Sequence, residues 1–353
     1  MAQKAKPDTA GLQKFKKDLA AEQLGQLYVF HGEETYLRDY YMDRLRKQIL
    51  SGGLGEFNLH EISAKDMSPQ KLMDAVDCLP MMSDRTLVTV VDFDLYKAGE
   101  KEREAYIQIL SQLPDYCCLV FVYDLIEYKG DARTKMAAAL KKYGTVVNFV
   151  RQDQDDLVKW VVRHFDALGK EIDRRLAEDL IFLCGDLMNN LLSEIEKISA
   201  YAKHKRVTQE DIEAVATPQL STVVYRMTDA IGEGNYDRAA AVLGELYQMQ
   251  EPPIKIMWSL GRQMRQFYSA RLAMEQGKGA RYLMDQWSIR SSYAAEKVMT
   301  SARRVSTQWC RQAVIRCGQV DLAMKSTGQD GKELLTNLLL ELAASSERQR
   351  LRR

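Results

Sequence analysis

Up to Val150 short apolar runs rich in β-branched residues alternate with stretches of helical spacing, and beyond Val150 those runs stop. This change of pattern limits the fold more tightly than any other feature. Strands separated by helices imply a parallel sheet covered on both faces, whereas a succession of amphipathic helices must bury its apolar stripes helix against helix. Strands are expected at 27–30, 86–91, 116–123 and 145–149. A helix opens at Glu33-Glu34-Thr35 and runs with Leu37, Tyr41, Leu45 and Ile49 on one face until Gly52-Gly53 stops it. Further helices are expected at 68–79, with Leu72, Val76 and Leu79 on one face, at 101–113 and at 134–143.

After residue 150 the spacing predicts helices at 155–168, 173–184 and 187–204, the last with Asp186 as a candidate cap. A short helix follows, capped by Thr208 with Asp211 three positions on. From about residue 220 the expected helices are 221–232, 235–249, 254–276, 293–303, 307–326 and 332–344, with turns at Gly277-Lys-Gly279 and Gly328-Gln-Asp-Gly331. The chain therefore divides into an α/β domain at 1–150, a small helical domain at 151–217 and an all-α domain at 218–353, a number of domains that suits 353 residues.

Within the first domain one connection stands out. Met81 and Met82 sit in Leu79-Pro-Met-Met-Ser-Asp-Arg85, between a helix and a strand. Connections are normally polar and lie on the surface. An apolar pair there is either tucked into the core or held out for a partner, and methionine serves both uses.

A parallel sheet followed by a small helical domain is a common nucleotide-binding layout. The slot for a phosphate loop, between the first strand and its helix, holds Gly32-Glu33-Glu34-Thr35-Tyr36-Leu37-Arg38. It has one glycine, no Gly-Lys pair and two carboxylates that suit the helix dipole and repel a phosphate. Asp92 and Asp94, where a magnesium-binding carboxylate belongs, read as solvated strand-end acids. The six cysteines include no C-x-x-C pair and the four histidines are scattered, so reduced buried thiols are expected and neither a metal site nor a cofactor is. Cys117 and Cys118, neighbours in a strand, should point to opposite faces. No apolar run is long enough to span a membrane and the start lacks the apolar stretch of a secretory signal, so a cytoplasmic protein is expected.

Charge is balanced overall, with 50 Lys+Arg against 49 Asp+Glu, but not locally. Residues 262–316 carry eleven Lys/Arg, among them Arg262, Arg265, Arg303 and Arg304, and three acids, an excess of eight. Phe267, Tyr268, Tyr282, Trp287, Tyr293 and Trp309 are interleaved with them. The stretch reads either as a DNA-facing surface with stacking platforms or as solvated helix faces over an aromatic core. The basic tail Arg348–Arg353 reads as a frayed end.

Taken in order, five segments resemble the delta subunit of the bacterial DNA polymerase III clamp loader. They are Leu27-Tyr-Val-Phe-His-Gly-Glu-Glu-Thr-Tyr-Leu37, Leu79-Pro-Met-Met-Ser-Asp-Arg-Thr-Leu-Val88, Asn190-Leu-Leu-Ser-Glu-Ile-Glu-Lys-Ile198, Pro252-Pro-Ile-Lys-Ile-Met-Trp258 with Arg262-Gln-Met-Arg265, and Asp321-Leu-Ala-Met-Lys-Ser-Thr-Gly328. The resemblance implies an AAA+-like α/β domain with a degenerate phosphate loop (Gly32, Glu33, Glu34, Thr35), a helical lid and a helical collar. The collar would join a five-subunit ring with the gamma/tau and delta prime subunits. It implies no catalytic site and no cofactor of the chain's own, within a DNA polymerase III holoenzyme. Met188, in Gly185-Asp-Leu-Met188, stands where ATP-using relatives place a phosphate-sensing arginine. The resemblance places at Met81 and Met82, flanked by Leu79 and Arg85, the hydrophobic pair that inserts into a pocket of the beta sliding clamp, although leucine or phenylalanine is more usual there. The implied role is a wrench that docks on the clamp and holds one interface open for loading onto primed DNA, with other subunits supplying ATP hydrolysis. Two further readings stand beside it: a divergent AAA+ ATPase, which Gly32–Arg38 argues against, and a helical DNA-binding scaffold, whose support is the basic stretch.

Overall fold

A computed structural model describes residues 9–51 and 55–350, with side chains as far as 345. The start of the chain, the expected helix stop at Gly52-Gly53 and the final residues 351–353 lie outside the described residues. The chain forms two compact units, one of residues 1–152 with 187–189 and one of 153–186 with 190–353.

The first unit is an all-parallel five-stranded sheet made of β1 (Leu27–His31), β2 (Leu59–Ser63), β3 (Thr86–Val91), β4 (Cys117–Val122) and β5 (Thr145–Asn148), in the order β2-β3-β4-β1-β5. The central strands are buried on both sides, which is why they read as continuous apolar runs. Alternation sorts their side chains. Leu27, Val29, Val88, Val90, Cys117, Leu119 and Phe121 join one core with Leu72 and Val76 of α3 (Pro69–Val76), Tyr106 and Leu110 of α4 (Glu100–Ser111) and Leu140 of α5 (Lys135–Tyr143). Tyr28, Phe30, Cys118, Val120, Val147 and Phe149 join the other with Phe15 of α1 (Ala10–Ala20) and Leu45 of α2 (Thr35–Ile49). Cys117 and Cys118 thus face opposite cores, as alternation requires.

In this unit β2, α1 and α3 depart from the sequence expectation. β2 is an edge strand on which only Ile62 is buried, so it lacks the apolar run that marks its neighbours. α1 precedes the first expected element and buries Leu12, Phe15 and Leu19 at helical spacing. α3 stops at Val76, where Asp77 N–H donates to Met73 C=O, and Leu79 is 71% exposed instead of sharing the buried face. Pro80 disfavours helical backbone at the residue before it, which ends the helix short of Leu79.

The second unit is helical. It holds α6 (Gln154–Ala167), α7 (Arg174–Cys184), most of α8 (Met188–Tyr201), α9 (Gln209–Val215), α10 (Leu220–Glu233), α11 (Tyr236–Gln248), α12 (Pro253–Glu275), α13 (Ala280–Trp287), α14 (Ser292–Arg303), α15 (Thr307–Ser326) and α16 (Gly331–Arg350). Aspartates Asp153 and Asp173 cap α6 and α7, and Thr208 with Asp211 forms the expected capping box of α9. α8 begins at Met188, one residue after the expected start at 187. The 23-residue α12 is the axis of the C-terminal bundle and packs on α10, α13, α14, α15 and α16. α13 had no counterpart in the sequence reading, since only Leu283 of its residues is buried. Gly328 supplies the left-handed turn after α15, while Gly331 is already the first residue of α16.

Candidate functional site

The Met81-Met82 connection is exposed. α3 is capped by Ser68, whose hydroxyl accepts from Lys71 N–H at 3.2 Å, and its far end is braced by Tyr116, whose hydroxyl donates to Asp77 C=O at 3.2 Å. At the other end Arg85 spends its guanidinium on three carbonyls: Leu24 at 2.7 Å, Gly25 at 2.9 Å and Cys117 at 3.3 Å. Between these anchors Leu79 projects, Met81 is 53% exposed and Met82 91% exposed. The backbone of Met82 is left-handed, with φ 49°, a state that costs a non-glycine residue about 1 kcal/mol or more. The buried side chain of Asn58 meets the loop from a separate turn. Its Nδ2 donates to Met81 C=O at 3.0 Å and its Oδ1 accepts from Met81 N–H at 2.6 Å. Phe57, next to Asn58, is also exposed. Neither Asn58 nor Phe57 figures among the expected site residues, and the bond between Asn58 and Met81 arises only from folding.

The loop after β1 is closed by the chain itself. Gly32 has φ 129°, and a Cβ there would lie 2.3 Å from Phe149 C=O. Glu34 N–H donates to that same carbonyl at 2.9 Å, and Phe149 N–H donates to His31 C=O at 2.7 Å. The amide that a phosphate loop would turn toward its ligand is therefore bonded to the residue after β5. Glu34 was expected to serve the dipole of its own helix α2. Its side chain, in a residue 1% exposed, instead reaches the first residue of α8, with Oε2 3.4 Å from Met188 N. The side chain thus takes up the amide of Met188 within the first unit. Thr35 Oγ1 accepts from Asn189 Nδ2 at 2.7 Å, and Glu33 pairs with Arg151 at 2.7 Å. Buried Arg38 bonds Asp124 at 2.6 Å, Asp39 at 3.0 Å and Tyr123 C=O at 3.2 Å. His31 lies against the Tyr128 ring with centroids 4.5 Å apart, and burial lowers its pKa to about 4.

Asp92 and Asp94 are not simply solvated. Asp92 Oδ1 accepts from the N–H groups of Asp124 at 2.8 Å, Leu125 at 2.9 Å and Ile126 at 3.3 Å. Asp94 Oδ1 accepts from Tyr96 N–H at 3.0 Å, and its other oxygen pairs with Lys97 at 3.3 Å. Both acids hold loops together. Among the described residues no group of three or more His, Cys, Asp or Glu could hold a metal ion. The six cysteines are free; Cys78 is only half-buried, whereas burial raises Cys117 to about 11 and Cys118, Cys184, Cys310 and Cys317 to about 12. No helix among the described residues is long and apolar enough to cross a membrane.

Folding splits the basic stretch. Arg304 bonds Asp229 and Glu233, each at 2.9 Å, Lys297 pairs with Asp179 at 3.3 Å, Arg290 with Asp186 at 3.8 Å, and Arg316 Nε donates to Glu341 at 2.6 Å. All five acids lie outside 262–316, so the local excess of charge is largely an artefact of counting along the chain. Arg262, Arg265, Arg303 and Arg304 are all exposed, Arg304 with its two acids against it. Phe267 and Trp309 are core residues, and the Tyr293 hydroxyl donates to Asp179. The exposed aromatic beside this face is Trp258, with the Arg262 guanidinium 5.8 Å over its ring.

A family model described as "DNA polymerase III, delta subunit" matches residues 28–150, and one described as "DNA polymerase III delta subunit, C-terminal domain" matches 221–342. The chain is 25% identical over 340 residues to DNA polymerase III subunit delta of Bacillus subtilis, covering 94% of this chain and 97% of that protein. It is 23% identical over 322 residues to a probable DNA polymerase III subunit delta of Aquifex aeolicus, covering 89% and 90%. The solved structure of the Bacillus subtilis DNA clamp loader delta protein superposes with a TM-score of 0.56 at 22% identity, over 94% of this chain and 99% of that one, a likeness of fold.

Proposed function

The chain belongs to the family of delta subunits of the bacterial DNA polymerase III clamp loader, and from that premise we propose that it docks on the beta sliding clamp through Met81 and Met82 and holds one interface of the ring open. The observation that carries this reading is the display of Met82: a large apolar side chain, 91% exposed, on a left-handed backbone in a loop anchored on both sides. A protein gains nothing in its own stability from holding an apolar group in water, whereas burial in a partner's pocket is worth roughly 1.5–3 kcal/mol per side chain before association costs. Leu79 extends the apolar surface and Arg85 fixes the base of the loop. Docking favours an opened ring only to the extent that the opened ring is bound better than the closed one.

In this reading the chain leaves ATP chemistry to other subunits. Supporting it, the loop that would cradle a phosphate is bonded to Phe149, and Glu34 brings a carboxylate into the place. Residues 151–217 act as the lid and 218–353 as the collar that joins gamma/tau and delta prime subunits in a five-membered ring. Primed DNA within that ring would meet Arg262, Arg265 and Arg303, whose side chains are exposed, and not Arg304, which Asp229 and Glu233 occupy. The test is a clamp carrying a fluorophore pair across one interface, mixed with the purified chain. Separation of the pair on mixing is expected; tight binding with no separation, alone or with the remaining subunits and ATP, contradicts the wrench.

A further inference from the structure

We propose that Asn58 is the positioning residue of the clamp anchor: it presets the Met81-Met82 loop in the shape that enters the clamp. This rests on the docking reading above. The loop is anchored at its ends, and within it Ser83 Oγ makes only long contacts, 3.5 Å to Ile49 C=O and 3.4 Å to Arg85 C=O. It belongs to no helix or strand, and the left-handed Met82 is a conformation that an unbranched side chain rarely adopts. In an exposed bend the N–H and C=O of one residue ordinarily bond to water. Here both groups of Met81 are taken by one side chain, at 2.6 Å and 3.0 Å, from a residue 1% exposed and 23 positions away. The turn that presents Asn58 (Gly55–Asn58) is itself tight, since a Cβ on Gly55 would lie 2.2 Å from Leu50 C=O.

The chemistry selects asparagine. A carboxamide of that length offers one acceptor to the Met81 amide and one donor to its carbonyl, which no other side chain of similar size does. Aspartate keeps the acceptor and loses the donor; alanine loses both. When a preorganising interaction is lost, the apparent dissociation constant rises by the inverse of the competent fraction that remains. Its loss slows association and leaves dissociation of the formed complex unchanged, because the contacts once made are the same.

The experiment uses the full chain as wild type, Asn58→Ala, Asn58→Asp and Met81→Ala/Met82→Ala, with binding rates to the purified beta clamp of the same organism. Amide hydrogen exchange is read at Met81, with Val88 and Val90 of β3 as internal reference. For Asn58→Ala we expect Met81 to lose protection while the reference amides keep theirs, and affinity to fall roughly tenfold through the association rate. Asn58→Asp should fall between alanine and wild type. The proposal is overturned if Asn58→Ala frees the Met81 amide yet binds at the wild-type rate, or weakens binding only through faster dissociation. Should the alanine variant lose protection in β3 as well, the aspartate variant decides in the same way. If the methionine double variant, still folded, binds like wild type, the docking reading itself has failed; if it alone loses binding, only the role of Asn58 has.

Discussion

Glu34 and Met188, 154 positions apart in the chain, meet within the first unit: Glu34 Oε2 is 3.4 Å from Met188 N. The slot between β1 and α2 is occupied by the chain's own groups, with Glu34 N–H bonded to Phe149 C=O and the Glu34 side chain to Met188 N–H. Magnesium-ATP at saturation is therefore expected to leave the melting temperature of the purified chain unchanged, whereas a ligand at 100 times its dissociation constant would add about 2.7 kcal/mol. A shift of several degrees, or ATP turnover by the chain alone, would contradict this.

His31 gives the fold a pH dependence of defined sign. Burial lowers its native pKa to about 4 from the ordinary 6.5, and burial lowers His60 as well. Between those values the unfolded chain binds the proton and the native one does not. Stability is thus full above about pH 6.5 and falls as the pH drops toward 4, by on the order of 2–3 kcal/mol for His31. Urea unfolding of wild type and His31→Gln at several pH values should show a shallower slope in the variant.

Arg303 and Arg304 are neighbours with different surroundings. Arg304→Ala removes bonds to Asp229 and Glu233 and should cost about 1 kcal/mol, allowing for its partial exposure. Arg303→Ala should stay within about 0.5 kcal/mol. In the assembled loader Arg303→Ala should lower the salt slope of DNA binding by about one, and Arg304→Ala should leave it unchanged.

Phe57 lies exposed beside the residue that clasps Met81. Phe57→Ala is expected to weaken clamp binding about three- to tenfold, with no change in thermal stability, as one more apolar side chain at the edge of the contact. Calorimetric titration checks the first expectation and a melting curve the second.

Legibility followed burial. Strands β3 and β4, buried on both faces, announced themselves as apolar runs; edge strand β2, with Ile62 alone inside, did not. Met81 and Met82 are legible as an anomaly of type and place, but their exposure is not, because apolar side chains are mostly buried and the residues alone favour the core. Leu79 was misplaced for the same reason: helical spacing continued past the residue where Pro80 ends the helix. Asn58, Phe57 and the acids opposing the basic stretch come from distant segments, and no local pattern connects them to their partners.

The central claim is that Met81 and Met82 belong to the clamp and not to the core. In Met81→Ala/Met82→Ala, with both side chains largely in solvent, stability should change by less than about 0.5 kcal/mol. Affinity for the beta clamp, measured alongside a circular-dichroism melt, should fall by at least about 100-fold. A folded double variant that binds the clamp as wild type does, or one that unfolds, would contradict the account.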